Sequence, residues 1–387
     1  MEVPYDIIYE VLLVLASAVF LGGVFEHFGL PAVAGELLSG LILGPTLLGV
    51  VTNTTEAQGV STIAIFFIVF LIGLEMKTEI IRKYIIKGTA TTLTSFVVPF
   101  VVATVVAIRL FPFGVTADLV VALVVVVPSI SIVSAMVIQY KLLELQTGQV
   151  ILASVIICDV LAFVVLAALS QSAQNLLYIF AFIAVFVVVF AAIDWLLNTK
   201  VEAFQLLLRS ASHLLRRENV SYAILIVVGL LVSYLFQAVG LSYIIGAFFA
   251  GLILHEGLIG REAFGRVSRT FTRMNEGFFI PIFFGFAGVE ANLLAAGLPL
   301  LGALAVVAGA SIATSLLLTY KGATSLWKAS GDEARDVAVI LGGRGAVGIV
   351  IATVAVDNGI IDLSAYSLAV FGTMAISIFV PLLIKRR

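Results

Sequence analysis

The sequence predicts an all-α polytopic membrane protein of thirteen transmembrane helices, arranged as two inverted six-helix repeats with crossed broken helices. Three observations carry that prediction. Apolar residues make up 62% of the 387-residue chain and charged residues only 11%, against roughly a quarter charged in a soluble domain. The apolar residues fall into runs of the length a bilayer demands, about twenty residues per helix. One stretch of the N-terminal half also returns in the C-terminal half at a nearly constant offset.

The runs cover about 6–26, 31–50, 59–76, 85–109, 118–139, 148–170, 175–197, 221–238, 240–255, 277–291, 296–320, 335–357 and 364–384. The ninth and tenth are short for a span. Alternating the loops sorts the charges: nineteen of the 21 Lys and Arg residues fall on one side, Arg109 falls on the other, and Arg344 lies inside a span. The positive-inside rule then sets the N-terminus outside and the C-terminus in the cytoplasm, in the plasma membrane. An even span count would scatter the same residues over both sides. The acidic N-terminus MEVPYDIIYE has no basic n-region and does not read as a cleaved signal peptide. No basic patch with interleaved aromatics suggests nucleic acid. The one cysteine, Cys158, excludes an internal disulfide and a Cys-based metal site.

The repeat is read from GLPAVAGELLSGLILGPTLLG (29–49) and GLSYIIGAFFAGLILHEGLIG (240–260), identical at nine of 21 positions with an offset of 211. FLIGLE (70–75) aligns with GFAGVE (285–290) at an offset of 215. Residues 1–387 thus form a single membrane transport domain. Repeat 1 covers 6–170, a linker helix and cytoplasmic loop cover 171–220, and repeat 2 covers 221–385. Corresponding helices are seven spans apart, an odd number, so the second copy is inverted. Inverted repeats are the plan of many secondary transporters, with the substrate site at mid-membrane between the copies.

The fifth span contains VVVVPSISIVS (124–134). Pro128 removes a backbone N–H and clashes with the preceding turn; Ser129, Ser131 and Ser134 follow it. Its counterpart in the twelfth span is VILGGRGAVGIV (339–350), where Gly342, Gly343 and Gly345 surround Arg344. Three glycines in four residues weaken a helix. Lipid does not tolerate free backbone groups, so both breaks must face protein or a wet cavity. At the second offset Pro128 falls opposite Gly343. Arg344 can offset dipole or carboxylate charge at the crossing.

The sixth span, ASVIICDVLAF (153–163), carries one acid, Asp159. A charged side chain at the bilayer centre costs about 2.5–3.5 kcal/mol on the insertion scale. The carboxylate has two escapes, taking up a proton or binding a cation, and the two exclude each other. One acid therefore couples two ions by competition. Hard oxygen ligands for an alkali cation are Asp159 with Ser129, Ser131 and Ser154. An ion pair of Asp159 with Arg344 is the structural alternative. Met374, the symmetry mate of Asp159, cannot ionise, so the chemistry occurs once on a twofold scaffold. Cys158 reads as a small core residue. Glu75 closes the third span and is either solvated at the interface or part of a cytoplasmic ion path. Glu36 reads as a satisfied interhelical hydrogen bond.

Together these residues resemble the monovalent cation:proton antiporters, in the Kef/Nap-type branch of sodium/proton and potassium/proton exchangers. The carrying motifs are GELLSGLILGPTLLG, FLIGLEM, the polar break after Val127, CDVLAF and GGRGAVGIV. The resemblance implies the Nha/Nap-type fold. Moving core helices would lie within 85–170 and 296–385, and scaffold and dimer helices within 1–84 and 175–291. The core would slide as an elevator in a homodimer. Asp159 matches the aspartate that carries cation or proton. Cys158 stands where relatives often have Asp, Asn or Gln. A Lys that electrogenic relatives carry in the eleventh span is absent from 300–318. Electroneutral exchange is therefore the expectation, with Na+ as the expected cation and K+ and Li+ left open. No cofactor and no enzymatic activity are expected. The partners are the ions themselves, membrane lipid and a second copy. The competing reading is a sodium-coupled organic-solute symporter of similar fold, which would need a roomier site. An intramembrane protease would need a second central Asp or a Ser–His pair, and the spans hold neither.

Overall fold

The computed structural model describes residues 7–52, 54–75, 78–140, 142–143, 145–169, 218–254 and 261–382. The span expected at 175–197 and most of the linker lie outside the described residues. Among the described residues every element is helical. In chain order these are α1 (Ile7–His27), α2 (Ala32–Leu43), α3 (Thr55–Glu75), α4 (Thr78–Thr92), α5 (Val98–Leu110), α6 (Val115–Val126), α7 (Ile130–Gln139) and α8 (Gln146–Leu169). The second half holds α9 (Glu218–Ala238), α10 (Tyr243–Ile253), α11 (Arg261–Met274), α12 (Ile280–Glu290), α13 (Leu293–Leu326), α14 (Gly331–Ile340), α15 (Ala346–Asp357) and α16 (Leu363–Leu382). Among the described residues six helices are long and apolar enough to cross a membrane.

The chain divides into two compact units. One takes in Met1–Ser61, Lys77–Leu169 and Pro281–Arg387; the other takes in Thr62–Met76 and Ser170–Ile280. In the first, α1 lies on α2, α4 on α8, α5 on α13, and α6 against α15 and α16. In the second, α9 lies on α10, and an aromatic cluster joins Phe67, Phe70, Tyr222, Phe271 and Phe279.

Helices in lipid gain no hydrophobic drive from meeting one another, so close backbone approach at small residues does much of the packing. A side chain on Gly40 of α2 would collide with the Gly285 carbonyl, the Val289 nitrogen and the Gly288 Cα of α12. In the other unit, a side chain on Gly251 of α10 would collide with the Phe70 carbonyl, the Leu74 nitrogen and the Gly73 Cα of α3. Shifting the first set by 211 and 215 residues reproduces the second atom for atom. Where α2 meets α1 and α10 meets α9, residues correspond at the offset of 211 but the contacting atoms differ: Gly35 sits on Leu21 and Gly22, and Gly246 on Val232, Ser233 and Phe236.

Two spans differ from the sequence reading. The fourth begins earlier, at Thr78, and contains a π-helical turn at Leu93–Val97 that joins α4 to α5. Its first turns carry Glu79, Arg82 and Lys83, which a hydropathy count discards as loop; a kink at Tyr84 (φ −117°, ψ 18°) separates them from the apolar part. The ninth, short as the sequence has it, is shorter still than 240–255, with 11 residues in α10.

Candidate functional site

Both breaks fall where Pro128 and the glycines place them, and they meet. α6 ends at Val126, Val127 is extended (φ −65°, ψ 123°), and α7 starts at Ile130. α14 ends at Ile340 and α15 starts at Ala346. Pro128 and Arg344 form an antiparallel bridge, in which the Ser129 N–H donates to the Gly343 carbonyl at 3.0 Å. One backbone donor freed at the first break is thus satisfied by a carbonyl of the second. Glycine is needed for this approach: a Cβ on Gly345 would lie 2.8 Å from Ile132 Cδ1 and 3.0 Å from Ser129 Oγ. Arg344 is fully buried. Its Nη1 donates to the Leu341 carbonyl at 2.9 Å, placing positive charge at the C-terminal end of α14, where a helix favours it. Its Nε and Nη2 have no hydrogen-bond partner among the described residues.

Asp159 is fully buried on α8, and neither carboxylate oxygen has a hydrogen-bond partner among the described residues. Its level follows from packing. Ile151, Leu152 and Val155 of α8 form an apolar cluster with Ile132, Val133, Met136 and Val137 of α7 and with Val337, Ile340 and Leu341 of α14. Asp159 is four residues beyond Val155 and so continues the same helix face by one turn. In the antiparallel α7 that step leads from Ile132 to the break at Pro128 and Ser129. Past the end of α14 the chain runs from Leu341 into the break that holds Arg344. The acid therefore stands level with the crossing. Asp159 and Arg344 form no hydrogen-bonded ion pair. Buried polar groups are otherwise almost always partnered, so unmet acceptors and unmet donors at one level mark a place for ion and water.

Cys158 is fully buried, as a small core residue would be. Thr92 Oγ1 lies 2.9 Å from the Gly88 carbonyl, 3.1 Å from the Ser154 carbonyl and 3.1 Å from Ser154 Oγ. Ser154 thus turns its hydroxyl toward α4. Thr92 was not picked out from sequence, where its only signal is the hydroxyl-rich run TATTLTS (89–95) inside a span.

Of the other sequence candidates, Ser129 is fully buried at the crossing and Ser131 lies in the first turn of α7. Glu75 is exposed at the end of α3 in the other unit, where it accepts from Thr272 Oγ1 at 3.1 Å. Glu36 is buried, and its Oε2 lacks a hydrogen-bond partner among the described residues, so the expected satisfied bond is not complete. Asp118, at the start of α6, drew no attention in sequence because it borders a loop. It is 2% exposed, and its Oδ1 is unmatched among the described residues.

An all-helical bundle with crossed breaks and a buried acid level with them has the build of an ion-coupled, multi-pass membrane transporter. Residues 14–386 match the sodium/hydrogen exchanger, transmembrane, family, and the chain belongs to it. It is 25% identical over 381 residues to the Na(+)/H(+) antiporter of Enterococcus hirae, covering 96% of each chain. It is 23% identical over 388 residues to the Na(+)/H(+)-K(+) antiporter GerN of Bacillus cereus, covering 98% of this chain and 96% of that one. Its fold is similar to that of the sodium proton antiporter MjNhaP1 of Methanocaldococcus jannaschii. The TM-score is 0.67 at 16% identity, over 99% of this chain and 96% of that one. These relatives are transporters and not enzymes.

Proposed function

We propose that the protein is a secondary antiporter that exchanges a monovalent cation for protons by alternating access, the two ions competing for Asp159. Na+ is the first candidate, from the names of the relatives, with K+ and Li+ next. The observation that carries the reading is the state of Asp159: fully buried, with both oxygens unmatched among the described residues. A dry carboxylate in that position is tolerable only when a proton or a cation joins it. Ser129 and Ser131 supply hydroxyl or carbonyl oxygen beside it, with Ser154 and Cys158 lining the next turn. Pro128 and Gly343 hold the backbone open. Arg344 balances charge at the crossing without pairing with the acid. Glu75 serves an ion path in the other unit.

One acid and no partner Lys in 300–318 favour electroneutral exchange. The atom-for-atom correspondence of the Gly40 and Gly251 contacts supports the inverted repeat, and with it the thirteen spans. The sorting of basic residues supports an outer N-terminus and a cytoplasmic C-terminus in the plasma membrane. An elevator-like core within 85–170 and 296–385, carried on a dimeric scaffold, completes the reading. Solute symport is not favoured, because the polar groups at the crossing are few and small and the relatives exchange ions.

The test is transport in proteoliposomes under an imposed pH gradient. Each cation is added in turn, with and without a membrane potential, for wild type and Asp159→Asn. Cation-evoked proton movement should be lost in the variant and should ignore the voltage. Undiminished exchange by Asp159→Asn would remove the basis of the proposal; voltage-dependent rates would remove only its electroneutral part.

A further inference from the structure

Within the first unit the helices hold together in two different ways. α1, α2 and α12 meet backbone to backbone, at Gly35 on Leu21 and at Gly40 on Gly285 and Gly288. α16 instead packs with α6, α13 and α15, the helices around the crossing. It reaches α12 through side chains. Tyr366 is fully buried, and its hydroxyl donates to the Ala287 carbonyl at 3.1 Å. Ser367 is also fully buried, and its Oγ accepts from the Asn292 N–H at 2.9 Å. Thr46 Oγ1, just past α2, donates to the Ala291 carbonyl at 2.9 Å. The C-terminal end of α12 is thus tied both to α2 and to α16.

These ties differ in what their loss leaves behind. The α2 contact is close-packed backbone, which cannot part without opening a void. The α16 bonds can part cheaply. The Ala287 carbonyl also accepts the Ala291 N–H at 3.2 Å, and Ser367 Oγ donates to the Leu363 carbonyl of its own helix at 2.7 Å. Separation would strand only the Tyr366 hydroxyl and the Asn292 N–H. Both stand at helix ends, where water can serve them.

We propose that the Tyr366 and Ser367 bonds are a latch, closed in this arrangement and opened when the helices of the crossing shift against α2 and α12. The latch rests on the alternating-access reading above and adds the contact that must break. In membranes the average side-chain hydrogen bond shifts an equilibrium about threefold, so two of them bias the cycle without locking it.

The experiment uses the full-length protein in proteoliposomes. Deuterium uptake is followed by mass spectrometry over 286–293 and, for comparison, over 119–126 of α6. The first segment should exchange through a local opening much more frequent than that of the second. Tyr366→Phe should speed uptake over 286–293 about threefold and leave 119–126 unchanged. Equal protection of the two segments, or no change in the Phe variant, overturns the proposal. The double variant Asn292→Cys, Ser367→Cys asks whether the opening belongs to transport. The 2.9 Å bond brings the two Cα atoms to within about 7 Å, the reach of a disulfide, and Cys158 is too deeply buried to compete. Oxidation should stop cation-evoked proton movement, and a reductant should restore it. Movement that continues through the disulfide overturns the latch alone. Wild type that moves no protons with any cation overturns the antiporter reading itself.

Discussion

The side-chain hydrogen bonding between α4 and α8 centres on one hydroxyl, and its worth can be worked out. Thr92→Val keeps the side-chain shape and deletes Oγ1, which lies 2.9 Å from one carbonyl and 3.1 Å from both the carbonyl and the hydroxyl of Ser154. A hydroxyl has one proton, so it serves one carbonyl and accepts from Ser154 Oγ. Both residues are buried, Thr92 at 1% exposure and Ser154 at 0%. Leaving a buried donor unmatched costs about 1–3 kcal/mol. In membranes, however, measured couplings average about 0.6 and reach about 1.7 kcal/mol, because freed groups find other partners. Ser154 can turn to a carbonyl of its own helix, so the expected coupling is about 1 kcal/mol. The assay is a double-mutant cycle with Thr92→Val and Ser154→Ala, read by reversible unfolding in mixed micelles. Thr92→Ser should restore most of the loss. A coupling indistinguishable from zero would refute the argument that these two hydroxyls hold the helices together beside Cys158.

Three further outcomes follow from the geometry. Gly345→Val places a side chain on Ile132 and Ser129, so the exchange rate in proteoliposomes should drop at least about tenfold while the protein still inserts. Gly40→Leu and Gly251→Leu strike corresponding backbone contacts, and each should destabilise by more than about 2 kcal/mol in micelle unfolding. A large effect at one and none at the other would speak against the twofold plan. Arg344→Leu removes positive charge at the crossing and leaves the Leu341 carbonyl without its donor. Cation affinity should rise on the order of tenfold, read as a lower half-saturating concentration.

The breaks and the acid were legible because each violates its surroundings. Pro128 and the Gly342–Gly345 run cannot continue a helix, and Asp159 cannot sit in lipid without a purpose. The Gly40 and Gly251 stretches were legible as a repeat because close backbone contact restricts both positions to the same small residue. Thr92 was not legible. A threonine in an apolar span can satisfy itself on the carbonyl four residues back, as Thr92 also does at Gly88, and its partner Ser154 is 62 residues away. Nor was the π-helical turn at Leu93–Val97, which local composition does not mark. Asp118 was hidden by its place at a span boundary, where burial depends on neighbours distant in sequence.

The competition at Asp159 is tested most directly by proton release in weakly buffered detergent solution as cation is added at a series of pH values. Wild type should give up one proton for each cation bound, and its half-saturating cation concentration should rise about tenfold for each unit of acidification once the site is protonated. Asp159→Asn should release none. A half-saturating concentration indifferent to pH, or proton release that survives the Asn substitution, would contradict the account.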